Sequence, residues 1–173
     1  MFKKILCLSA AIAILVTSGA LFAQDAGSQK VAVVNIQAAM LSSEYGQAEM
    51  AKLEKSADYS ALITEFEGLR ADLQALDSEA SANSSKWDAE RIAEYQKQRQ
   101  FLQADLELNG RKIQTDQQAA VQSIYAAMNQ PAQEALQELI AEESVTLLLK
   151  AEAVYHATVE HDLTQKLALK LGK

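Results

Sequence analysis

One stretch constrains this chain more than any other. From about Gln37 to about Ala141 it is a single amphipathic segment, broken once near Ser81 to Asp88. Ala, Gln, Glu, Leu, Lys and Asp dominate it, and these are residues of long helices. At about 1.5 Å per residue, each half makes a rod of roughly 65–80 Å. A rod of that length cannot close a compact core on itself. The fold must be two rods plus whatever the chain ends build around them.

The period of the first rod is legible residue by residue. Leu62, Phe66, Leu69, Leu73, Leu76 and Ala80 are spaced 4, 3, 4, 3, 4, and Met50, Leu53 and Ala57 repeat 3, 4 upstream. A mean near 3.5 is the narrow seam of a coiled coil. Ser81-Ala82-Asn83-Ser84-Ser85 is small and polar and predicts a turn. Asp88 suits the N-terminus of the next helix. The second rod resumes at Ile92 and Tyr95. It runs through Leu102, Leu106, Ile113, Gln117, Val121, Ile124, Met128, Ala135 and Leu139. Two amphipathic helices joined by a short polar link pack antiparallel. Pro131 removes a helical N–H and predicts a kink near the end of the returning rod. The composition agrees: 49% of residues are hydrophobic but only 6% aromatic, so Ala and Leu supply the apolar surface.

The chain opens with Lys3 and Lys4, an apolar run from Ile5 to Val16, and a small-residue ending at Ala23. That order predicts a secretory signal peptide over 1–23. Its apolar run is shorter than the roughly 20 residues of a membrane span. Cleavage would remove Cys7, the only cysteine, and with it any disulfide or thiol chemistry. It would also remove Lys3 and Lys4, so the net charge of −7 becomes −9. So acidic a chain gives no electrostatic reason to bind nucleic acid.

The two ends of the mature chain differ from the rods. Val31-Ala32-Val33-Val34-Asn35-Ile36 reads as a buried strand. Val145-Thr146-Leu147-Leu148-Leu149 reads as a second. Ala153-Val154-Tyr155-His156 reads as a third, forming a hairpin with the second. Thr164 then caps a last short helix with Leu167 and Leu171 on its apolar face. Residues 24–36 and 142–173 thus form a small β-rich body, and 37–141 a hairpin with its tip near 81–88. Three short strands and one helix enclose too little core to stand alone, and their edges stay open. The body is therefore expected to oligomerise. The strand residues expected at the contact are Val31, Val33, Ile36, Val145, Leu147 and Leu149.

This order of parts resembles the Skp/OmpH family of periplasmic chaperones. Three pieces carry the resemblance. They are Lys30 to Asn35 directly after an export signal, the long hairpin with Pro131 near its foot, and the ending from Val145 through Tyr155 to the Leu-rich helix. The fold class it implies is mainly α with a small β base. A long antiparallel, coiled-coil-like helical tentacle projects from a short-stranded, oligomeric β-barrel body. The resemblance implies a homotrimer whose tentacles enclose a cavity. Unfolded outer-membrane β-barrel proteins would be held there without ATP, and no catalytic residues are implied. Met40, Met50, Trp87 and Met128 are candidate client contacts, as adaptable or aromatic surface. As stripe residues the methionines fit a packed seam at least as well. Trp87 would otherwise cap its own arm. The sequence departs from the family in charge. Family members are often basic at the tentacle tips. Here Lys86, Arg91, Lys97 and Arg99 are outweighed by Asp77, Glu79, Asp88, Glu90 and Glu94, which argues against lipopolysaccharide or anionic-lipid contact.

No Ser/His/Asp grouping, phosphate loop or CxxC pair marks an enzyme. No cofactor is expected. His156 and His161, five apart, do not match a helical metal-ligand pair. Glu54, Asp58, Glu65 and Asp72 read as a solvated face. A structural alternative is a coiled-coil spacer or tether in the cell envelope.

Overall fold

The computed structural model describes residues 30–172. The expected signal peptide and the residues up to Gln29 lie outside the described residues. The element order is β1 (Lys30–Val34), α1 (Ile36–Ser42), α2 (Glu44–Glu54), α3 (Ala57–Asn83), α4 (Ala89–Glu142), β2 (Val145–Lys150) and α5 (Thr164–Lys170). The architecture is mainly α, with one small sheet. At 54 residues, α4 is about 80 Å long and runs the length of the molecule. It passes through Pro131, which lies inside the helix without ending it.

Serines divide the ascending side into three helices where the apolar period suggests one. Ser43 caps α2 by accepting from the Gly46 N–H at 3.1 Å, and Ser56 caps α3 by accepting from the Tyr59 N–H at 3.3 Å. Each hydroxyl satisfies a backbone donor that the start of a helix leaves unpaired. At the first corner the chain turns so tightly that a Cβ on Gly46 would lie 2.2 Å from the Met40 carbonyl oxygen. Gly46 is thus a corner residue, although no turn partner in the sequence marks it.

The tip is shorter than the small polar run that predicts it. Helix α3 continues to Asn83, and a 3-10 turn at Ser84–Lys86 reverses the chain. Asp88 is the N-cap of α4, its Oδ1 accepting from the Arg91 N–H at 2.8 Å.

The strands β1 and β2 pair in parallel, joined by the entire helical crossover. Val31 sits opposite Leu147, Ala32 opposite Leu148 and Val33 opposite Leu149. Alternation sends Ala32, Val34 and Leu148 to one face, against α5 and the foot of α4. Ala32, Val34, Ala39, Leu139, Leu163, Leu167 and Ala168 form the core there. A second cluster, Met40, Ile124, Met128 and Ala132, continues it up the root of α4.

The expected third strand is absent. After β2 a 3-10 turn at Ala151–Ala153 redirects the chain, and the sheet of the described residues has two strands. Of residues 153–156 only Val154 is partly buried, and Tyr155 is fully exposed. Val154 turns toward Val33 of β1, so the segment does not pair on β2. The chain instead returns to the far side of β1, where the Leu163 N–H donates to the Val33 carbonyl at 2.9 Å. The cap of α5 also differs from expectation. The Thr164 N–H donates to Asp162 Oδ1 at 2.8 Å. The Thr164 hydroxyl accepts from the Asn35 N–H at 2.9 Å, 129 residues away. That N–H precedes α1 and lies beyond the end of β1, and α5 supplies the partner it lacks.

Candidate functional site

Two surfaces stand out by what they leave uncovered. The first is the sheet face turned away from the core. Val31 is 36% exposed, Leu147 50% and Leu149 36%, side by side across the strand pair. Val33 shares that face but is covered by the returning segment 154–161, with which it lines a groove. Ile36 and Val145 pack against the chain's own core instead. Of the six strand residues expected at a contact, three are therefore open. Half-exposed Leu and Val in adjacent positions, beside the open edge of β2, make a surface suited to another chain.

The second surface is the hairpin of α3 and α4. Its seam residues Leu62, Phe66, Leu69, Leu73, Leu102, Leu106 and Ile113 are only half-buried. Within it, Tyr59, Leu76 and Asn109 are closed off from solvent. Ile92, Phe101 and Leu108 are more exposed still. Asn109 carries a buried Oδ1 with no hydrogen-bond partner. A two-helix seam has no third element to cover its sides, so each apolar residue shows one flank to water.

The family described as outer membrane protein (OmpH-like) matches residues 30–171. The chain belongs to the OmpH-like family. A solved structure of a candidate outer membrane chaperone (OmpH-like) from Caulobacter crescentus CB15 is similar at 23% identity. The match covers 83% of each chain, with a TM-score of 0.45. Among curated proteins, none matches.

The root of this OmpH-like chain is clamped by charge. Glu143, the C-cap of α4, accepts from Lys30 Nζ of β1 at 2.5 Å and from Lys166 Nζ of α5. The two ammonium groups, Lys166 foremost, hold its carboxyl down to about 2. Lys170 bridges Glu142 at 2.7 Å and Glu138 at 3.0 Å, and these bonds raise its pKa. The clamp thus joins β1, the end of α4 and α5. Ser144, just past it, takes a left-handed conformation with φ 52°, the usual exit from a helix.

The tip of the OmpH-like hairpin is pinned by a different set. The Asp77 carboxylate accepts from the Tyr95 hydroxyl at 2.8 Å and from Arg99 Nε at 2.9 Å, and both bonds lower its pKa. Arg91 reaches Glu79 at 2.7 Å and Glu94 at 3.1 Å. Its guanidinium lies 5.2 Å from the Trp87 ring, which packs on Tyr95 with centroids 5.4 Å apart. Trp87 is half-buried there, packed on its own arm. Its basic neighbour Arg91 is held by two carboxylates.

The methionines divide by depth. Met40 and Met128 are buried in the second core cluster, 5% and 6% exposed, and Met50 packs half-buried against it. As a client contact Met128 would require that cluster to open, whereas Met40 shows an edge to an adjoining cleft. Beside them lies a cleft of about 770 Å³, between the ends of the strands and α4, with Ile36, Met40 and Tyr125 on its walls. His156 and His161 are exposed. Among the described residues no group of His, Cys, Asp and Glu is placed to hold a metal ion. No helix among them is long and apolar enough to cross a membrane.

Proposed function

We propose that this chain is an ATP-independent periplasmic holdase that keeps unfolded outer-membrane β-barrel proteins from aggregating before insertion. Residues 1–23 direct export. The segments 24–36 and 142–173 form the oligomerising body, and 37–141 the tentacle. One observation carries the reading: the chain has a packed root and a long hairpin whose apolar seam is only half-covered. Half-covered residues offer many weak contacts, and weak contacts let a client be both held and released. Membership in the OmpH-like family supports it.

The exposed sheet face and the open edge of β2 are where copies of the chain meet. Closing strands from several copies into a barrel would remove the edges and bury Val31, Leu147 and Leu149. The number three comes from the resemblance to the Skp/OmpH family. Binding of this kind needs no catalytic residue and no cofactor.

The test is aggregation. An outer-membrane barrel protein diluted from urea scatters light as it collapses. The mature chain should suppress that scattering near one assembly per client, and for several unrelated barrels. A chain that leaves the scattering unchanged is a spacer or tether, and the proposal fails.

A further inference from the structure

We propose that the exposed amide stripe of α4, Gln114, Gln118 and Gln122, together with the root cleft beyond it, is the track on which an extended, unfolded polypeptide lies. The inference rests on the holdase reading and names the surface that serves it.

Charge separates this stretch from the rest of α4. Residues 89–112 carry nine charged side chains. Residues 113–133 carry one, Asp116, which is half-buried, together with seven Gln or Asn. Gln114, Gln118 and Gln122 are four apart, so they lie in line on one face, and all three are exposed. Two clefts follow that line and meet at Gln122. One, of about 320 Å³, lies between Gln114 and Gln122. The other is the 770 Å³ root cleft, where Gln122 adjoins Tyr125, Asn129, Ile36 and Met40. Its two charged neighbours, Lys150 and Glu152, are of opposite sign.

The chemistry of this line fits a peptide backbone. A primary amide donates two hydrogen bonds and accepts two, so it can serve a peptide N–H or C=O equally. An unfolded chain carries one of each at nearly every residue, whatever its side chains. A row of neutral amides therefore holds extended backbone without reading sequence. The apolar walls of the root cleft take the client's apolar side chains. Neutrality matters because the mature chain carries a net charge of −9. Along α3, where Arg70 stands against six carboxylates, an acidic client segment meets like charge, whereas the glutamine line itself carries none.

Two matched variants of the mature full-length chain test the track. Q118E/Q122E places two carboxylates on it. Q96E/Q100E places two, also on exposed α4 residues four apart, nearer the tip. Both carry the same net charge, and circular dichroism checks that both keep their helix content. The readout is affinity for a fluorophore-labelled, urea-unfolded outer-membrane barrel, with oligomeric state measured alongside by light scattering on a sizing column. Q118E/Q122E should weaken binding about tenfold or more, and Q96E/Q100E by less than about twofold. A photo-crosslinker at residue 118 should capture the barrel in clearly higher yield than one at residue 100. Equal loss in both pairs, or no loss at Q118E/Q122E, overturns the track while the holdase reading stands. A change of oligomeric state confined to Q118E/Q122E also overturns it, since the stripe would then face another copy. Failure of the unsubstituted chain to bind the barrel refutes the holdase reading, and the track with it.

Discussion

The root and the arm of this molecule are built from the same residues to opposite ends. At the root, β1, α1, α5 and the foot of α4 come together from both ends of the chain. They close Leu163, Leu167, Ile124 and Ala132 off from water almost completely. In the arm, Leu, Ile and Phe recur at the same helical spacing, yet most are half-exposed. The difference lies in the number of neighbours. A residue at the root is covered by two or three elements, whereas one in the arm is covered by a single opposing helix. Burial, not composition, decides which apolar residues hold the fold and which stay open to water.

That contrast breaks most visibly when equal truncations are made in the two places. Leu167→Ala removes a fully buried side chain and should cost about 3–4 kcal/mol in urea unfolding. Leu62→Ala, half-buried in the arm seam, should cost about 1 kcal/mol. Similar losses at both sites would mean that the arm is covered in solution by something else.

Glycine sharpens the same contrast with a change of sign. At Gly46→Ala the new methyl meets backbone oxygens of α1, so the corner must open, at about 2–3 kcal/mol. Gly68→Ala adds a methyl into open space on α3 and should stabilise by about 0.5–1 kcal/mol. Thermal melting of the two variants reads both directions.

Acid should loosen the root before the arm. The Glu143 carboxyl is held at about 2 in the folded chain, below its ordinary value of 4.5. A depressed carboxylate stabilises the fold fully above its unfolded value. Its contribution is lost as pH falls from about 4.5 to about 2. Urea midpoints across that window should fall, and Glu143→Gln should flatten this part of the fall. The Asp77 carboxyl at the tip is depressed in the same sense, so Asp77→Asn gives the comparison from the arm. Root stability that falls as steeply with acid in Glu143→Gln as in Asp77→Asn would contradict the assignment of the clamp. An effect as small as that of Gly68→Ala is expected at Ser144→Gly. Relieving the left-handed residue should gain about 0.5–1 kcal/mol.

What the sequence made legible follows the same division. The arm is read from its own period. The 3- and 4-residue spacing of Leu62 to Ala80, the polar turn and the capping Asp88 all act within a few residues, and local signals suffice. The root depends on partners far along the chain. Thr164 looks like an N-cap, but its hydroxyl serves Asn35 from 129 residues away. Val145 to Leu149 looks like half of a hairpin, but its partner β1 lies more than a hundred residues upstream. The breaks at Ser43 and Ser56 had a local signal that the apolar period masked: a serine directly before or one residue before an acidic first turn. Gly46 had none, because its need arises from the approach of α1. The strand residues split for a similar reason. Alternation places Val31, Leu147 and Leu149 on one face, but only the fold tells that α5 covers the other.

The division of labour between root and arm is tested most directly by hydrogen exchange on the mature chain, with and without an unfolded outer-membrane barrel. Without client, amides of 30–34, 145–150 and 164–170 should exchange slowly and those of α3 and the distal part of α4 faster, because two-element packing opens more often. With client, protection should rise along α3 and α4 as far as the root cleft, to about residue 129, and stay unchanged in the two strands and α5. Protection gained in the strands and not in the hairpin would contradict the account, because it would make the sheet the client site.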